Sequence, residues 1–143
     1  MQLTPLIAVH MTAAIAAVVL GPVALWARRG HAARQPHHQR PRLHRAIGYA
    51  WVTLMLVTAI SAMFIRDFKL PNVAGYTPVH LLVPIVFGSL FLAFRALLRG
   101  QVNTHRRVMV GLYVSACLVA GAFTLLPNRY LGGLVWSQWL GLA

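Results

Sequence analysis

Acidic side chains are almost absent: Asp67 is the one Asp or Glu in 143 residues. That scarcity removes whole classes of chemistry. Hydrolysis by general acid and base wants a carboxylate pair or an activated nucleophile. Ser61, Ser89 and Ser115 have no triad partners, so they read as packing residues. A proton-coupled transporter normally carries a carboxylate inside the membrane, and none is available. Cys117 is alone, which rules out an internal disulfide and leaves a small buried hydrophobe as its expected role. Charged residues make up only 10% of the chain against 59% hydrophobic ones, far from the balance of a water-soluble domain.

What is present is long apolar runs. Four of them, Leu3–Ala27, Arg45–Ile65, Thr77–Leu98 and His105–Leu126, each reach the ~20 residues that cross a hydrocarbon core about 30 Å thick. The expected fold is all-α: one integral-membrane, four-helix, up-and-down bundle over residues 1–143. The first run lacks a basic leader and is too long for a signal-peptide core, so it is expected to stay as a span. Tyr130–Ala143 follows Pro127 and is too short to cross, which suggests an interfacial helix or a flap. Trp26, Tyr49 and Trp51 are expected in one interfacial aromatic belt, and Tyr76, Tyr130, Trp136 and Trp139 in the other.

The net charge of +12 is distributed in a way that argues for a membrane rather than a nucleic acid. Ten of the thirteen basic residues lie in or beside the joints between spans one and two and spans three and four: Arg28, Arg29, Arg34, Arg40, Arg42, Arg45, Arg95, Arg99, Arg106 and Arg107. Arg66, Lys69 and Arg129 are left for the other side. This asymmetry predicts a cytoplasmic-membrane protein with both termini outside and its basic face against anionic headgroups.

One histidine falls on each span, and ionisable groups inside a membrane are expensive unless they are partnered and functional. His10 and His80 are expected near the outer face, His44 and His105 near the inner one, with the two levels about 20 Å apart. That separation suits two sites of two ligands. Zinc would be short of ligands at each, whereas haem iron asks the protein for two axial ones. In an up-down-up-down bundle the first and third helices are diagonal, as are the second and fourth, which pairs His10 with His80 and His44 with His105.

Gly21, Ala14 and Gly48 lie on histidine-bearing faces and would leave room for a flat cofactor or for close helix packing. Arg45 and Arg106 beside the inner histidines, and Arg66 and Arg129 at the outer end, are candidates for propionates, with membrane anchoring as their alternative. His31, His37 and His38 read as solvated residues between spans. Pro84 is expected to kink the third helix near His80, and Asn103 or Thr104 to cap the fourth. The halves read as weak tandem copies. His10 and His80 each precede an Arg-Gly pair by nineteen residues, and His44-Arg45 and His105-Arg106 each open a span.

The pattern His10, Gly21-Pro22, His44-Arg45…Gly48-Tyr49, Val79-His80-Leu81 and His105-Arg106-Arg107 with Met109 resembles a bacterial family of four-span membrane proteins catalogued as domain of unknown function 2306. The four histidines and their depths also resemble the di-haem cytochrome b superfamily, including cytochrome b-561 proteins. That second resemblance implies two b haems and electron transfer across the bilayer, with quinol (ubiquinol) from the quinone pool as donor. The acceptor would be a soluble or membrane redox partner or an oxygen species. Homo-oligomerisation is compatible with either resemblance. The competing expectation is a haem-free structural, small-solute or metal transport protein whose histidines are polar packing groups.

Overall fold

The computed structural model describes residues 4–32, 42–66, 78–126, 130–139 and 141. Every element among them is helical. Helix α1 covers Pro5–Ala32 and α2 Arg42–Phe64. A 3-10 turn at Pro78–Leu81 leads into α3, Leu82–Leu98. The fourth span is composite: α4, Val102–Leu112, runs through a π-helical stretch, Tyr113–Val119, into α5, Ala120–Thr124. A short helix, α6 (Tyr130–Gly133), and a second π-helical stretch, Leu134–Trp139, end the described chain. The four helices long and apolar enough to cross a membrane are Pro5–Ala27, Arg42–Phe64, Val79–Leu98 and Val102–Thr124. Helix α1 packs on α2, α2 on α3, α3 on α4, and the π-helical stretch of the fourth span back on α1. This closed ring makes α1/α3 and α2/α4 the diagonals, in the up-and-down arrangement the apolar runs predict.

The tandem reading finds a counterpart in the packing, at a register other than that of the histidines. Buried Ala17, Gly21 and Ala27 of α1 correspond to buried Val86, Leu90 and Ala96 of α3 at a constant separation of sixty-nine residues, not the seventy of the histidines. On the other diagonal, His44 and Trp51 correspond to His105 and Leu112 at sixty-one. Within the π-helical stretch the separation becomes sixty-two: buried Met55 matches buried Cys117, and their sulfurs touch at 3.6 Å. A π-bulge is an α-helix with one residue inserted, so the extra residue is absorbed without turning the inward face away.

Several local expectations change. Trp51 is no belt residue: it is 2% exposed and donates from Nε1 to the Ala17 carbonyl at 2.9 Å. It stands seven residues after His44, two turns along the same inward face. Trp26 (69% exposed) and Tyr49 (56%) do face outward. Pro84 does not bend the middle of a helix. The 3-10 turn carries His80, α3 begins at Leu82, and Pro84 falls in its first turn, where a missing N–H costs nothing. Neither Asn103 nor Thr104 caps α4, whose N-cap is Gln101 with no side-chain bond.

The reason for that early start is the tight α3–α4 joint. Gly100, at φ 70°, closes a Schellman motif in which the Gly100 N–H bonds Leu97 and the Gln101 N–H bonds Ala96 at 2.8 Å. The tandem match fails here, because Arg29-Gly30 lies inside α1 while Arg99-Gly100 ends α3. At the opposite end, Trp136 folds back and donates to the Leu125 carbonyl at 2.8 Å. Cys117 is buried, as expected of a small hydrophobe.

Candidate functional site

All four span histidines are half-buried; His10, His44 and His105 each bind a main-chain carbonyl of a neighbouring helix, and His80 that of Ile65, just past α2. At one end of the bundle, His44 of α2 reaches back to α1, Nδ1 to the Ala24 oxygen at 2.9 Å. His105 of α4 makes the same bond to α3, Nδ1 to the Ala93 oxygen at 3.0 Å. Ala24 and Ala93 are again sixty-nine residues apart, so the two bonds are equivalent under the internal repeat. A carbonyl can only accept, so Nδ1 is the protonated nitrogen in both rings and Nε2 carries the lone pair. This is the arrangement by which metal-ligating histidines are oriented through their second nitrogen.

The other end is not symmetric. His10 Nδ1 lies 3.0 Å from the Thr58 carbonyl and 3.0 Å from Ser61 Oγ, both on α2. The Ser61 hydroxyl donates to the Val57 carbonyl at 2.7 Å, which leaves its lone pairs to accept from His10. His80 uses Nε2 instead, donating to the Ile65 carbonyl at 2.9 Å. The repeat register would pair His10 with Val79, so His80 is displaced by one position along the chain and grips the end of α2 rather than the fourth span.

Sequence reading missed Thr58 and Ser61. Ser61, read there as packing, is a partner of His10. Thr58 holds the one buried side-chain polar atom among the described residues that lacks a partner, its Oγ1. Thr12, Thr53, Ser115 and Thr124 all bond carbonyls three or four residues back, the usual way for a helical hydroxyl to satisfy itself. The available signal was depth: a Thr-x-x-Ser pair near the end of α2, opposite the level of His10.

Of the residues expected to make room, Gly21 does not. Its open side is taken by the Tyr113 ring, into which an added Cβ would run, and Tyr113 donates its hydroxyl to the Val18 carbonyl at 3.1 Å. Gly48 is half-buried with nothing within 4 Å of a built Cβ. Arg45, Arg66 and Arg106 are exposed. Arg129, His37 and His38 lie outside the described residues, as does the side chain of His31. Among the described residues no three His, Cys, Asp or Glu side chains gather as a metal-ion cluster, whereas a bis-histidine haem site needs two.

No curated protein and no solved structure matches the chain. A family model does match, over residues 7–131, and takes in all four spans and all four of their histidines. The chain therefore belongs to the family described as predicted membrane protein (DUF2306).

Proposed function

We propose that this membrane protein is a di-haem b-type cytochrome that carries electrons across the bilayer. The observation that supports it most is the inner pair. His44 and His105 sit on diagonal helices, related by the internal repeat, each held by Nδ1 with Nε2 left as a ligand nitrogen. They would hold one haem, with Arg45 and Arg106 as propionate partners. His10 and His80 would hold the other, with Arg66 and Arg129 at that end. Bound there, haem iron would exchange single electrons between its ferric and ferrous states. The arginine bias supports a reading in which the His44/His105 end faces the cytoplasm of a bacterial inner membrane, and bilayer-soluble quinol is the donor such a site would meet.

A second reading also has a specific observation behind it. The same hydrogen bonds staple α1 to α2 and α3 to α4 without any metal, as Trp51 and Tyr113 do on α1. The protein would then be a haem-free structural or transport bundle.

A dithionite-reduced minus oxidised spectrum, with a pyridine-haemochrome count on protein expressed with ample haem, separates the two. The cytochrome reading expects two low-spin b haems per chain. His44→Ala and His105→Ala should each remove one and the same signal, and His10→Ala and His80→Ala the other. A colourless, folded protein ends that reading and leaves the staples.

A further inference from the structure

We propose that the exposed flank of the α3–α4 hairpin is a seat for anionic phospholipid, with the headgroup phosphate held by Arg95, Arg99, Arg106 and Arg107. All four arginines are exposed. No Asp or Glu stands among the described residues to pair with them, and the one acid of the chain, Asp67, lies outside those residues. A counter-charge from outside would complete the group.

Helix α3 shows what kind of molecule supplies it. Phe87, Phe91, Arg95 and Leu98 follow one another at spacings of four, four and three, which places them on a single face. Phe87 is 39% exposed, Phe91 65% and Leu98 89%. Phe87 and Phe91 lie toward the middle of the span and Arg95 one turn nearer its end, just before exposed Leu98, which suits a phospholipid with its acyl chain on the phenylalanines and its phosphate at Arg95. A soluble phosphate compound would make no use of the aromatic part.

The hairpin turn brings a second pair of charges to the same end. The Schellman motif at Gly100 fixes Arg99 at the end of α3, and α4 begins within three residues. Arg106 and Arg107 then follow His105, whose bond to Ala93 sets α4 against α3 at that level. The first turn of α4 has neither an acid nor a side-chain cap, so its unpaired N–H groups add to the positive field. Guanidinium is the cation best matched to phosphate, because it binds in a fork.

The test uses the full chain in nanodiscs of phosphatidylcholine with or without phosphatidylglycerol, read by melting temperature and by native mass spectrometry of retained lipid. Phosphatidylglycerol should raise the melting temperature and remain bound through detergent exchange, and high salt should reduce both effects. Arg95→Gln, Arg99→Gln and Arg107→Gln together should lower the phosphatidylglycerol preference by at least about tenfold. The same variant should melt unchanged in phosphatidylcholine, and Arg66→Gln should leave the preference intact. If the triple variant fails to fold, Arg95→Gln with Arg99→Gln is held to the same criterion. No preference in the natural chain, or an unchanged preference in the variants, overturns the proposal. So does displacement of the lipid by millimolar inorganic phosphate, which would point to a soluble anion. No outcome depends on haem.

Discussion

The α1–α2 half and the α3–α4 half solve one packing problem with different side chains. In the first half Gly21 accepts the large Tyr113 ring from the fourth span, and Ala17 accepts Trp51. At the equivalent positions of the second half stand Leu90 with Val52, and Val86 with Leu112. Small against large on one side is balanced by medium against medium on the other. A close-packed interior constrains the summed volume at each contact more than the identity of either partner. The halves diverge most where their histidines sit: the carbonyl bonds of His44 and His105 are equivalent, those of His10 and His80 are not. The histidine bonds are symmetric at one end of the bundle and not at the other.

Deletions probe this contrast hardest. Removing Ala50 from α2 would turn everything beyond it by about 100° relative to His44, and Trp51 would leave the core. That variant should yield no monodisperse peak in detergent size-exclusion chromatography. Removing Val114, which is exposed within the π-helical stretch, takes out only the inserted residue. Cys117 then stays on Met55, and a folded peak is expected.

Next comes a transplant of one half's packing into the other. Gly21→Leu alone should cost about 3 kcal/mol or more in unfolding measurements, as overpacking against a fixed ring. Tyr113→Val alone should cost about 2–4 kcal/mol, from the cavity and the lost bond to Val18. The double variant recreates the Leu90/Val52 pairing and should recover about 1–3 kcal/mol relative to the sum. Strict additivity would mean that the two sides are not interchangeable.

The histidines give smaller effects in haem-free protein. His10→Ala should lose about 1–2 kcal/mol, since it leaves two acceptors on α2 without their donor. His80→Ala, with one carbonyl at a helix end, should lose about 0.6 kcal/mol. His44→Ala and His105→Ala should agree within about 0.5 kcal/mol if the repeat makes them equivalent. A large inequality in thermal unfolding would break the inner symmetry.

The four spans were legible because length and hydropathy alone decide them, and the two histidine levels because helical rise converts residue number to depth. Register was not legible. Apolar residues recur so densely that a repeat of seventy and one of sixty-nine both find matches, and only burial chooses between them. Trp51 was misplaced because its distance from the helix start resembles an interfacial position, while its face is set by His44. The π-helical stretch leaves its trace only when the halves are compared: Trp51 and Met55 are four residues apart, Leu112 and Cys117 five. The bond from His10 to Ser61 joins residues fifty-one apart, and nothing local to either announces it.

The Gly100 turn also bears on how the chain enters a bilayer. Its last carbonyls are answered by its own N–H groups, and only Arg99, Gly100 and Gln101 separate α3 from α4. Two helices joined so closely would enter a bilayer together as one hairpin. The orientation of this half would then be a single choice, on which the arginines flanking the turn would bear.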